Sequence, residues 1–191
     1  VFTTINNIKN ADDVRHEIAA LHNMGIGAMF RLGGGPDQKN TNRVIVNAGH
    51  GGLSLPTRDY YTKEDAKSVE IKGKFVEHMT NMFKLLGETP EAAAADAGTV
   101  MAIQMRLAKA SAAPVELRDA DKNYNKISVI DAQMIIPNFS LTGYMKDRGI
   151  PAVTEINFCQ PKFFKELNAM LTDVSIDNWK TYFRWMVLNN A

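Results

Sequence analysis

His16-Glu17-Ile18-Ala19-Ala20 begins like H-E-x-x-H, the helical motif in which two imidazoles one turn apart bind zinc and the intervening glutamate activates water. Ala20 stands where the second ligand has to be. His22 does not replace it, because six residues along a helix rotate it by about 240° from His16, onto another face. His16 is therefore read as solvated or hydrogen-bonded. His50 and His78, alone in sequence, receive the same reading, with a ligand set drawn from distant positions left open. Gly52-Leu53-Ser54-Leu55-Pro56 starts like a G-x-S-x-G nucleophile turn, but proline occupies the last glycine position, so Ser54 is read as structural. Gly33-Gly34-Gly35 with Lys39 has the composition of a phosphate loop without its spacing, and no helix is expected to begin there. Glu64, Asp65, Glu70 and Glu77 are expected on the wet face of a helix, as a solvated charge stripe. The methionines share helical spacing with Phe and Leu, which core packing explains.

Arg58-Asp59-Tyr60-Tyr61 carries two readings. In one, Arg58 clamps a substrate carboxylate through its planar donor fork. In the other, which the residue types favour, Arg58 and Asp59 pair or cap while the tyrosines bury their rings and keep their hydroxyls bonded. Cys159 is the sole cysteine, which excludes an internal disulfide framework and a cysteine zinc site and is read as a buried small hydrophobe.

The elements that must position these residues are mostly helical. The chain has 191 residues, 45% of them apolar, and a net charge of +1 without basic runs. That is enough for one good core and gives no case for nucleic-acid binding. No apolar run approaches the ~20 residues of a transmembrane helix. The start at Val1-Phe2 reads as a processed or excised chain.

Asn10 caps a helix over about 11–24, with Asp12 and Asp13 in its first turn. Short strands at 28–32 and 43–47 are expected to flank a long glycine-rich hairpin loop. Thr62 with Asp65 approximates a capping box for a helix to Leu86, with Phe75, Met79, Met82, Phe83 and Leu86 on one face. Thr89-Pro90 starts another, with Val100, Ile103, Leu107 and Ala110 as its buried stripe. Ser128 and Ser140 open two short helices, 153–158 is a short strand, Pro161 opens a helix to about Leu171, and Ser175 caps the last. Trp179, Phe183, Met186 and Val187 share a face of that last helix. It reaches Ala191 without an evident cap, which reads as a chain that continues.

Gly51-Gly52-Leu53-Ser54-Leu55-Pro56-Thr57-Arg58-Asp59-Tyr60-Tyr61 is too idiosyncratic for a generic loop. It is followed in order by Arg106 to Ala110, Glu116, Arg118-Asp119, Tyr124 to Ser128, Gln160-Pro161, Phe163-Phe164, Trp179, Tyr182 and Arg184-Trp185. Together these resemble the amino-terminal part of the neprilysin-like zinc metallopeptidases. The chain departs from the family where Thr57 replaces a frequent acid and Ala120 a frequent proline, and in the plain stretch 110–114.

The resemblance implies a mainly α lobe over 1–191 with one β-hairpin near the amino end (about 28–47), which closes over a zinc-bearing lobe and encloses a chamber for oligopeptides. The family's zinc ligands, its general base and its substrate-holding arginines match no position here. No catalytic, metal or substrate-binding residue is therefore assigned. Zinc is expected in the parent endopeptidase and not on this segment, which is expected to be inactive alone. The missing carboxy-terminal lobe of the same polypeptide is the expected partner, and an extracytoplasmic location goes with the resemblance. Trp179, Phe183 and Trp185 are the expected apolar surface for that partner. A standalone helical protein- or peptide-binding module, or a catalytically dead relative, is the alternative.

Overall fold

Asn10 shows how local chemistry starts the fold: its side-chain oxygen accepts the N–H groups of Asp12 and Asp13 at 2.9 and 3.0 Å, satisfying donors a helix start leaves free. The computed structural model describes residues 1–191. Its elements are α1 (Phe2–Asn6), α2 (Ala11–Asn23), β1 (Phe30–Asp37), β2 (Asn40–His50), α3 (Asp59–Thr62), α4 (Ala66–Leu85), α5 (Pro90–Ala110), α6 (Pro114–Leu117), β3 (Lys126–Ser128), α7 (Val129–Ile135), α8 (Leu141–Asp147), β4 (Glu155–Phe158), α9 (Pro161–Asp173) and α10 (Ile176–Leu188). The protein is mainly α, as expected. Serine or threonine caps start α5, α7, α8 and α10.

The hairpin differs from expectation. Its strands continue through Gly33–Gly35 and Pro36, and close over the two residues Gln38 and Lys39 rather than a long loop. Because β1 pairs only with β2, its outer edge needs no proline N–H, and the glycines need no side chain to pack. Asp37 closes the turn by accepting Lys39 N–H at 3.0 Å and the Tyr124 hydroxyl at 2.8 Å. The hairpin is also half of a larger sheet, ordered β1-β2-β4-β3. There β4 runs parallel to β2 (Val46 opposite Ile156, Ala48 opposite Phe158) and β3 antiparallel to β4.

Asp65, not Thr62, caps α4: it accepts Ser68 N–H at 3.0 Å, while Thr62 closes the separate turn α3 with its hydroxyl on Arg58 O. Lys63 is extended, and this breaks the two helices apart. The last helix runs to Leu188, and Asn189 keeps helical geometry with its N–H on Trp185 O, so no glycine or left-handed residue caps it.

One apolar cluster of 40 buried residues runs from Ile5 to Met186, joining α2 and the sheet to the helices. In it α5 packs against α4, α9 and α10. Phe75, Met79 and Phe83 are buried as the helical pattern predicts, whereas Leu86, just past the last turn, is 43% exposed. Trp179, Phe183 and Trp185 are not the open apolar surface expected. All three are buried, from more than one side of α10, and Trp185 meets Phe75 at 5.8 Å and Phe83 at 6.2 Å. The most exposed large apolar side chains are instead Val44, Leu85, Val115, Ile130 and Met134.

Candidate functional site

The loop from Gly51 to Pro56 is held by side chains from two helices. Tyr182 of α10 accepts Met29 N–H and donates to Gly52 O, both at 2.9 Å. Gly52 has φ +78°, and a Cβ there would lie 2.6 Å from the Tyr182 hydroxyl and 2.7 Å from Met29 N, so no other residue fits. Tyr61 accepts the N–H groups of Ser54 and Leu55 at 3.1 and 2.8 Å and donates to Gln104 of α5 at 2.7 Å. The Gln104 amide and the Trp185 indole both donate to Ser54 Oγ, at 2.7 and 2.9 Å. Burial pushes the Tyr61 hydroxyl up to about 12 and raises that of Tyr182 as well, so both stay protonated donors. The glycine–proline sequence is thus a loop whose backbone groups are satisfied by buried hydroxyls rather than by a helix or sheet.

Beneath it lies a cavity of about 300 Å³, bordered by the loop, the start of β1, the segment after α5 and the end of α10. Its ionisable lining is Arg31, His50 and Arg58, with no carboxylate. Arg58 is steadied by one hydrogen bond, Nη1 to Ser111 O at 2.9 Å. His50 Nδ1 accepts Ala112 N–H at 3.1 Å, which fixes the neutral tautomer with its proton on Nε2. Burial first, then the charges of Arg31 and Arg58, hold the imidazole below its usual pKa. The cavity therefore presents donors and positive charge, which suits an anion and supplies no nucleophile or general base.

The other sequence candidates lie elsewhere. His16 is half exposed beside Asp147, with Nδ1 2.9 Å from the carboxylate. His22 is largely buried. Its Nε2 donates to Ala28 O at 2.7 Å, its Nδ1 accepts the Tyr144 hydroxyl, and burial lowers its pKa to about 4. Glu17, between them in sequence, is buried against α1, and desolvation raises its pKa. His78 meets only the edge of Trp185. Lys39 lies over the Tyr124 ring at 4.8 Å, so the glycine run is a hairpin and no phosphate loop. Glu70 pairs with Lys74 and Asp65 caps α4, while Glu64 and Glu77 are exposed. Cys159 is half-buried, its thiol pKa raised by burial. Asp59 pairs with Lys63 rather than Arg58, which leaves Arg58 without a carboxylate. No three His, Cys, Asp or Glu side chains gather where they could hold a metal ion.

Sequence reasoning missed Arg31, Gln104 and the pairing of Tyr182 with the loop. Arg31 carried no signal, since its neighbours read as an ordinary strand. Gln104 did carry one, as a polar residue on a stripe between Val100 and Leu107 that has no exposure at all.

The fold is that of solved zinc metalloproteases. The zinc metalloprotease Zmp1 of Mycobacterium tuberculosis superposes with a TM-score of 0.91 at 25% identity, over 97% of this chain and 28% of that one. PepO of Lactobacillus rhamnosis shares the fold with a TM-score of 0.74 at 18% identity. The sequence of residues 1–191 matches Peptidase family M13 throughout, and the chain belongs to that family, in its amino-terminal region. Neprilysin-3 of Drosophila melanogaster is 24% identical over 163 residues, which are 82% of this chain and 21% of that protein. Endothelin-converting enzyme 1 of Cavia porcellus is 28% identical over 126 residues, 65% of this chain and 16% of that protein. The chain thus spans a small part of the length of its relatives.

Proposed function

We propose that residues 1–191 form a single helical lobe that closes over the zinc-bearing lobe of an oligopeptide-hydrolysing metalloendopeptidase and limits substrates by access to the enclosed chamber. The observation that carries this reading is the superposition on 28% of a zinc metalloprotease, using nearly all of this chain. Its own residues do not fit a zinc site. His16 lacks a partner one turn on, and both ring nitrogens of His22 are engaged within the fold. The metal and the general base would come from the remainder of the polypeptide, and the segment alone is inactive. An extracytoplasmic location accompanies this reading.

The test is zinc content and peptide hydrolysis by the protein from the complete reading frame, purified beside residues 1–191. About one zinc per complete chain, with zinc-dependent cleavage, and neither on the segment is the expected result. Metal-stoichiometric activity of the segment alone, or no zinc on the complete chain, overturns the proposal.

A further inference from the structure

The eight arginines of this chain divide in two. Arg15, Arg43, Arg106 and Arg184 each pair with carboxylates of the fold. Of the four with no such partner, Arg58 and Arg31 line the cavity under the glycine–proline loop, and Arg31 and Arg148 line a second one that shares Gly27 and Arg31 with it. A guanidinium without a counter-ion is ordinary on an open surface. Two sharing one recess, beside an imidazole locked with its N–H free, form a concentration of positive charge and donors that no carboxylate of the fold answers.

We infer that the cavity walled by Arg31, His50 and Arg58 is a carboxylate-binding subsite, which receives an aspartate or glutamate side chain of a bound peptide. Three features select this ligand. The planar fork of arginine matches a carboxylate in two parallel hydrogen bonds. The volume, about 300 Å³, holds one side chain with space over. Arg31 stands on β1, an outer strand with one edge unpaired, so the subsite borders a sheet edge that an extended peptide can follow. The Ser111 carbonyl, on the wall of the same cavity, holds Nη1 of Arg58, so the guanidinium is oriented before the ligand arrives and loses little freedom on binding. The subsite deepens the proposed function by giving the chamber a preference for acidic peptides, and it rests on that reading only for the source of the peptide.

The test uses the complete protein and two amidated, acetylated peptides that differ by a single Glu or Gln, with affinities measured by calorimetry. The Glu peptide is expected to bind about tenfold more tightly, the worth of one hydrogen-bonded charge. Arg31→Gln with Arg58→Gln is expected to erase the difference, and Arg31→Lys to keep part of it. Because the Arg31 side chain is exposed and makes no hydrogen bond, Arg31→Gln alone tests the idea even where the double variant fails to fold. An unchanged Glu-to-Gln ratio in these variants overturns the inference. So does a lowered melting temperature with that ratio intact, which would mean that an acid of the same polypeptide fills the cavity. Zinc-dependent cleavage of the Gln peptide by the unaltered protein is read separately, so the lobe proposal stands or falls independently.

Discussion

Two regions of the molecule share the same helices and use them in opposite ways. Where α4, α5 and α10 meet, Phe83, Val100, Leu107 and Phe183 make a dry interior with no exposure among them. One face further round, α5 and α10 present Gln104, Tyr182 and Trp185 to the loop at 51–56 and hold its Gly52 carbonyl and Ser54 hydroxyl by hydrogen bonds. The dry interior specifies that helices pack, and any set of apolar side chains of suitable volume approximates it. The gripped loop specifies one conformation, because each tyrosine hydroxyl serves two or three partners at once and is buried with them.

Substitutions at the two regions break this contrast in graded ways. The largest effect is expected from Gly52→Ala. A Cβ against Met29 N at a positive φ forces backbone to move, with a loss above about 4 kcal/mol. Urea denaturation midway to wild type would show that the loop yields more easily than its geometry implies. Phe83→Ala in the dry interior leaves a cavity and is expected to cost about 3–5 kcal/mol, with Phe83→Leu recovering most of it. Equal losses for the two would mean that this interior is as shape-specific as the loop.

His22 extends the gripped side toward Phe30 and Tyr144, and it supplies a pH dependence. Its folded pKa, about 4, lies below the ordinary 6.5, so the unfolded chain binds the proton first. This contribution is complete above pH 6.5 and is lost as pH falls toward 4, on the order of 3 kcal/mol. His22→Gln should flatten stability across that window, and a slope unchanged by the substitution would assign it to other groups. The smallest effect is expected from Tyr182→Phe. It keeps the ring but strands Met29 N–H and Gly52 O, at about 2 kcal/mol in thermal or urea unfolding. A neutral result would show that water replaces the hydroxyl.

The same contrast explains what the sequence disclosed. Helices α2, α5, α7, α8 and α10 were legible because caps such as Asn10, Thr89 and Ser175 act within three residues, and apolar periodicity is local too. The start of α4 was misplaced because Thr62 and Asp65 are both good caps, and only the extended Lys63 between them decides. The short elements α1, α6 and β3 carry too few residues for a pattern. The length of the hairpin was hidden because Gly33–Gly35 and Pro36 look like a loop unless one knows that their strand lies at an edge. At the cavity, the loop was recognisable as special and Arg58 as a candidate. The convergence of Arg31, His50 and Arg58 depends on contacts between distant segments, such as Ala112 with His50, which no local signal encodes.

The parallel pairing of β2 with β4 has a consequence for how the chain reaches this structure. Asn47 and Asn157 meet across 110 positions, whereas β1 and β2 meet across a two-residue turn. The hairpin can therefore form early, and closing so long a loop makes its union with β4 a late event. During synthesis at ~5–20 residues per second, β2 waits roughly 6–20 s with its inner edge unpaired. In that interval the open edge beside the apolar residues Val44 to Val46 is a template for other chains.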